Sequence, residues 1–395
     1  MLDSSLLKNK VRHAIQVDQT ELYELALRIL QHPELGYAEE RASDWLSGWL
    51  AERGFRLERP LGGLPTAFRA TCSNGRGPHI AFLAEYDALP EVGHGCGHNL
   101  IGPAAVGAAL GVATVLENLQ GTISVIGTPA EEYLGQVEGK IKLLQAGAFE
   151  DIDVALMVHP QYENRILGGD LGFIACEIVF HGRTAHAAAD PWNGANALDG
   201  LLLTFNNINA LRQQLRPEIR VHGIITDGGQ APNIIPGRAA ARLMVRAAAP
   251  DNLEAAYARV EDCARAGALA SGTRLELLRH TTVYNSRINP TLNRLVLANL
   301  EQLGQAVNEE PYFMSGSSDF GNLSQVLPAV MFLIETHPTG LPWHSAEVAR
   351  ASGEEMALQG MIVGACALAG VVVDLLNDPA LLAQVQADFK NENDS

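Results

Sequence analysis

Ile80-Ala81-Phe82-Leu83-Ala84-Glu85-Tyr86-Asp87 is an apolar run that ends on acids, and Gly93-His94-Gly95-Cys96-Gly97-His98-Asn99 follows shortly after. A run of that length, closed by polar and turn residues, reads as a strand buried on both faces. After the glycine loop, small residues from about 101 to 119 read as a closely packed helix, and 122–127 form a second apolar run. Strand, helix and strand in that order predict a parallel sheet covered on both sides. Residues 154–158 and 329–334 repeat the strand pattern, with a helix near 140–146. Upstream, helices are expected over 19–31 and 41–53, joined by His32-Pro33-Glu34-Leu35-Gly36.

The middle third has another rhythm: strand 173–181, helix 195–215, strands 220–226 and 239–247, helix 253–270 and strand 274–283. That order is β-α-β-β-α-β, the ferredoxin-like unit, about 110 residues long. The expected fold class is therefore α/β. A mainly parallel-sheet domain (1–170 and 286–395) carries an inserted ferredoxin-like domain (171–285).

The 395 residues are too many for one compact core, which agrees with two domains. Composition is that of a globular protein, 47% hydrophobic and 18% charged. A net charge of −17 argues against a nucleic-acid surface. Five cysteines, at 72, 96, 176, 263 and 366, follow no framework spacing, so structural disulfides are not expected. The first 17 residues lack the apolar core of a signal peptide. The longest apolar run, 361–376, is interrupted by Asp374 and reads as too short to span a bilayer. The expected location is the cytoplasm, with no membrane partner.

Ligands of an open α/β sheet bind beyond the carboxyl ends of its strands. Here those ends carry Glu85-Tyr86-Asp87, Thr128-Pro129-Ala130-Glu131-Glu132, His159-Pro160, and Glu335, His337 and His344. Cys96 and His98 sit in the loop beyond the first. A thiolate two residues from an imidazole suits Zn²⁺ or a similar transition metal. Each group alone has a bland reading: a buried cysteine, a loop histidine, a solvated acidic turn. Their arrival at one rim is the argument. Of adjacent glutamates, one can bind metal while the other takes the proton of an activated water. Asp87 reads as orienting a ligand or capping a turn, and His94 and His337 as loop or supporting residues. The other four cysteines read as packing. In the inserted domain, His181-Gly182-Arg183-Thr184-Ala185-His186 and Gln230-Ala231-Pro232-Asn233-Ile234-Ile235-Pro236 could grip a polar substrate on closure, or be polar edge loops.

Together with Ser318-Asp319-Phe320 and Trp343-His344-Ser345, these motifs run in order along nearly the whole chain. The set resembles the M20 family of metallopeptidases, and more closely its amidohydrolase branch of aminoacylase-1-like, aminobenzoyl-glutamate and auxin-conjugate hydrolases. The resemblance implies that Cys96, His98, Glu132, His159 and His344 ligate two divalent metal ions, Zn²⁺ foremost, with Mn²⁺ and Co²⁺ as alternatives. It implies Glu131 as general base and His186 as oxyanion donor, usually in the site of a partner protomer. Asn233 is implied as a substrate contact, and the inserted domain as lid and homodimer interface.

Peptidase members carry His-x-Asp where Glu85-Tyr86-Asp87 stands, so Glu85 is not assigned as a ligand. Tyr133-Leu134-Gly135-Gln136 stands where small glycines are common, which leaves the substrate open. The expected reaction is metal-assisted hydrolysis of small amides bearing a free carboxylate: N-acyl amino acids, dipeptides or aroyl-glutamates. Two other readings stand beside it. One makes Cys96 a nucleophile with His98 as its base. The other is a non-catalytic small-molecule-binding protein on the same fold.

Overall fold

The computed structural model describes residues 2–132 and 137–391, so the segment Tyr133-Leu134-Gly135-Gln136 lies outside the described residues. The strands are β1 (Arg56–Glu58), β2 (Phe68–Asn74), β3 (His79–Ala84), β4 (Gly121–Gly127), β5 (Val154–Gln161) and β6 (Arg165–Gly169). They continue as β7 (Gly172–His181), β8 (Arg220–Asp227), β9 (Arg238–Ala247), β10 (Arg274–Val283), β11 (Asn308–Phe313) and β12 (Ala329–Glu335). One eight-stranded sheet has the order β1-β2-β4-β3-β5-β12-β6-β11. Its centre, β4-β3-β5-β12, is parallel throughout, and β2 and β6 join it antiparallel.

The apolar runs become central strands because both of their faces are covered. Ile80, Phe82 and Ala84 of β3 enter one core cluster with the helices Ser4–Val17, His98–Ala113 and Glu355–Asn377, while Ala81 and Leu83 enter another on the opposite face. Small residues let the helix His98–Ala113 come close to its neighbours. A Cβ on Gly111 would lie 2.9 Å from Ile15 Cδ1 and from Val11 Cγ1. The apolar run near the C-terminus belongs to a helix of 23 residues, longer than the run itself suggested. By length and composition it could cross a membrane, but 83% of its apolar window is buried in this fold. Its Asp374 accepts from Lys8 Nζ at 2.7 Å.

The second sheet is fully antiparallel, in the order β10-β7-β9-β8, the ferredoxin-like arrangement. Helices Ala197–Leu211 and Pro250–Ser271 cover one face through Ile178, Phe180, Leu201, Leu243 and Val260. The other face borders a cleft of about 700 Å³ that Val137 and Lys142 also line. The elements match the expected order, with differences at their ends. The helix expected from residue 101 begins at His98, and His159 lies inside β5 rather than after it. The short strands β1, β2, β6 and β11 and the helices Ser4–Val17 and Pro379–Asn391 were not anticipated.

Candidate metal centre

Backbone conformation delivers each group to the rim. Gly97 takes φ +76° and starts the next helix, so that His98 is its first residue. Gly95 leaves room for another chain segment: a Cβ there would sit 3.2 Å from the His344 backbone. His344 itself donates its N–H to the Gly95 carbonyl at 3.2 Å. This close approach explains how a histidine almost 250 residues away reaches Cys96. After β4, Ala130 adopts φ +62°, turning Glu131 and Glu132 back over the strand ends.

The five expected ligands converge. Donor atoms of Cys96, His98 and His159 lie within 4.8 Å of one another, as do those of Cys96, Glu132 and His344, and those of His98, Glu131 and Glu132. Cys96 Sγ is 3.6 Å from His159 Nε2, and His344 Nε2 is 3.3 Å from Glu132 Oε1. The latter approach lacks hydrogen-bond geometry: Glu132 Oε1 and His98 Nε2 are both buried with no hydrogen-bond partner. Burying such atoms unpaired is costly unless a cation takes their lone pairs. Sulfur, imidazole and carboxylate donors together fit a divalent transition metal.

The other ring nitrogens are already engaged. His98 Nδ1 meets Asp87 Oδ1 at 3.1 Å, and His159 Nδ1 meets the Pro160 carbonyl at 2.9 Å. A proton held on each Nδ1 leaves Nε2 as the free donor to a metal. Asp87 also accepts the Glu132 N–H at 2.8 Å. Asp87 thus holds both the His98 ring and the Glu132 backbone, two of the expected ligands.

Burial and neighbouring charges shift these groups in different directions; burial lowers His98, but its bonds to Asp87 and Cys96 outweigh that and raise it well above the ordinary imidazole range. Burial, then the charge of Glu132, pushes the Cys96 thiol above its ordinary range. Burial, Glu132 and Glu85 raise the Glu131 carboxyl well above the usual carboxylate range. Burial and the neighbouring His98 lower His159 to about 4, which keeps it neutral and able to ligate. A buried thiol raised in this way is not an activated nucleophile.

Sequence reasoning passed over a charged cluster beside Glu131. Lys140 is fully buried, and its Nζ donates to Glu85 Oε1 at 2.5 Å and to Asp319 Oδ1. The Lys140 N–H also donates to Asp319 Oδ2, at 2.8 Å. Glu85, Glu131 and Asp319 bring oxygens within 4.8 Å of one another, and the Lys140 ammonium serves two of the three acids. The signal was Glu85 itself: an acid at the end of a fully buried strand needs a counter-charge.

His186 and Asn233 come together with each other, apart from the five. His186 Nδ1 accepts from the Ala188 and Ala189 N–H groups at 3.2 and 3.1 Å, and Ala187 N–H donates to the Asn233 carbonyl at 3.0 Å. Both residues lie on loops at the end of the second sheet, and both are exposed. Among the described residues, no hydrogen bond or ion pair joins either to the Cys96 cluster. The two bonds to Nδ1 place the proton of a neutral His186 on Nε2. Glu85, His94 and His337 are buried, and His94 has no hydrogen-bond partner for either ring nitrogen. Cys176 and Cys366 are buried, Cys72 and Cys263 half-buried, and all five cysteines are free thiols.

Comparison with known proteins bears on the family and the fold. The family model of the peptidase dimerisation domain matches residues 169–271. The chain is 39% identical to a mouse protein named Xaa-Arg dipeptidase, over 98% of this chain and 92% of the relative. It is 28% identical to one of the subunits of p-aminobenzoyl-glutamate hydrolase from Escherichia coli, over 97% of this chain and 94% of the relative. Among solved structures, a putative aminohydrolase from Staphylococcus aureus superposes with a TM-score of 0.80 at 18% identity, covering 93% of this chain and all of that one. A Bacillus subtilis protein described as a dinuclear metal-binding M20 peptidase gives 0.72 at 20% identity, over 92% and 99%. With nitrogen, oxygen and sulfur donors gathered near a half-buried glutamate and near-full-length kinship to a dipeptidase, the chain belongs to the M20 family, as a hydrolase of C–N bonds that depends on divalent metal.

Proposed function

We propose that this hydrolase cleaves the amide bond of dipeptides and comparable small substrates bearing a free carboxylate. Cys96, His98, Glu132, His159 and His344 would hold two divalent ions, with Zn²⁺ preferred over Mn²⁺ or Co²⁺ because a thiolate is in the set. When bound, the ions supply Lewis acidity toward the scissile carbonyl and acidify water. Glu131, next to the ligand Glu132 and 4.0 Å from His98 Nε2, takes the proton of the attacking water. It then returns that proton to the departing amine. His186 Nε2–H donates to the oxyanion in the site of the other protomer, in a homodimer built on the second sheet, and Asn233 beside it contacts substrate. Asp87 holds His98 and the Glu132 amide in register. Five free thiols fit a reducing compartment, and we place the protein in the cytoplasm.

The observation that carries this reading is the convergence of five donors beside Glu131 from three strand ends and one loop. The names of the two relatives suggest where to begin on substrate. A screen of the zinc-, manganese- and cobalt-loaded protein should span Xaa-Arg and Xaa-Lys dipeptides, aroyl-glutamates and N-acetyl amino acids. Dipeptides with C-terminal arginine are expected to lead. Chelation should abolish turnover, while thiol alkylation of the metal-loaded protein should not. Glu131→Ala should keep its metal and lose about 10²- to 10⁴-fold in kcat. Near-normal turnover would remove Glu131 as base. Two metals per chain with no hydrolysis across the panel would favour a binding protein.

A further inference from the structure

The two backbone amides flanking Glu131 are each held by a buried carboxyl group. On one side Asp87 Oδ2 accepts the Glu132 N–H at 2.8 Å; on the other, Glu39 Oε1 accepts the Ala130 N–H at 2.7 Å. Glu39 comes from 91 residues upstream and is fully buried. It occupies the N-cap position of the helix Glu40–Glu52, where a polar side chain ordinarily accepts from the helix's own first N–H groups. Here its side chain makes no such bond. Glu34 takes that duty instead, accepting from the N–H groups of Arg41 at 3.0 Å and Ala42 at 3.1 Å. Glu39 is thereby free to reach across to Ala130.

Ala130 needs an external restraint. Its φ of +62° is in the left-handed region, which costs an alanine on the order of 1–2 kcal/mol. Left alone, the turn would relax toward an ordinary conformation and carry Glu131 with it. We propose that Glu39 is a positioning residue for the hydrolysis: by accepting the Ala130 N–H it fixes the left-handed turn that presents Glu131. The bond asks only for an acceptor, not a charge. Burial and the nearby charge of Asp87 push the Glu39 carboxyl up to about 8, so that a neutral acid is the resting form. The inference rests on Glu131 being the base.

The test compares Glu39→Gln, which keeps an acceptor, with Glu39→Met, which keeps the volume and removes it. Each metal-loaded variant is measured for kcat and KM, for metal content, and for amide hydrogen exchange over residues 128–132. Glu39→Gln should keep the slow exchange of Ala130 and a kcat within about threefold of the parent. Glu39→Met should expose the Ala130 amide and lower kcat by roughly 10- to 100-fold, with KM and metal content nearly unchanged. If Glu39→Met does not fold, Glu39→Asp, which withdraws the acceptor by one methylene, takes its place in the comparison. The proposal is overturned by retained Ala130 protection in Glu39→Met, by a loss of turnover that follows a loss of metal, or by a Gln variant as impaired as Met. A Glu131→Ala control that retains turnover would instead remove the base assignment, and the exchange at Ala130 would still report on the clamp by itself.

Discussion

Asp87 joins the His98 ring to the Glu132 amide, so one residue sets the direction of one proposed ligand and the register of another. Asp87→Ala should therefore lower metal affinity by roughly 10- to 100-fold, measured by competition with a chelator of known affinity. Unchanged affinity would reduce Asp87 to a structural role. Lys140 is a different case, since it touches buried acids on two elements. Lys140→Met would leave Glu85 and Asp319 without their cation, a change that costs on the order of 3–5 kcal/mol. Denaturant unfolding of the metal-free protein measures that cost apart from any metal effect. The convergence of Cys96, His98, Glu132, His159 and His344 was legible because each lies in, or in the connection beyond, the carboxyl end of a buried apolar strand. Glu39 and Lys140 were not. Glu39-Glu40 reads as the solvated start of a helix and Lys140 as an ordinary helix lysine, and only the tertiary fold shows that both are buried.

The helix Gly139–Gln145, with Glu138 at its N-cap, joins the first sheet's domain to the second sheet. Glu138, at the N-terminal boundary of that helix, accepts from Thr281 Oγ1 of β10 at 2.7 Å. Burial raises its carboxyl to about 7. The folded state thus keeps a proton that the unfolded chain has already released between pH 4.5 and 7. Its contribution is fully present at low pH and is lost as pH rises through that window. Glu138→Gln keeps an acceptor for Thr281 and has no proton to lose. The variant should gain stability relative to the parent as pH rises from 5 to 8, by on the order of 1–3 kcal/mol, read from urea midpoints. A constant difference across the range would count against a proton held at Glu138. At this scale the sequence spoke most clearly where burial was two-sided. Strands β3, β4, β5 and β12 stand out as apolar runs, whereas β1 is exposed at all three residues and β11 is mostly exposed and contains Pro311. Those strands are defined by the neighbour they pair with, and no periodicity marks them.

At the scale of the whole molecule, β8 is an unpaired edge of the second sheet, with Ile224 and Ile225 65% and 44% exposed. An apolar open edge invites another strand, and a second copy of this chain would cover it. The match of residues 169–271 to a peptidase dimerisation domain supports dimer formation. Charging that edge with Ile224→Lys and Ile225→Lys should shift the protein toward monomer in sedimentation, with metal content unchanged. If His186 serves the other protomer's site, the monomer should also lose turnover. The sharper experiment mixes two inactive homodimers, Glu131→Ala and His186→Ala, and lets their protomers exchange. A mixed dimer has one site with an intact Glu131 facing an intact His186 from the other chain. Half of the randomly reassorted dimers are mixed, and each has one live site of two. About a quarter of parental activity should therefore return if His186 acts across the interface. If both residues act within one chain, the Glu131→Ala and His186→Ala protomers each remain defective in every pairing. No recovery on proven exchange would then return His186 to its own chain or remove it from catalysis. Full activity in His186→Ala alone would decide for removal.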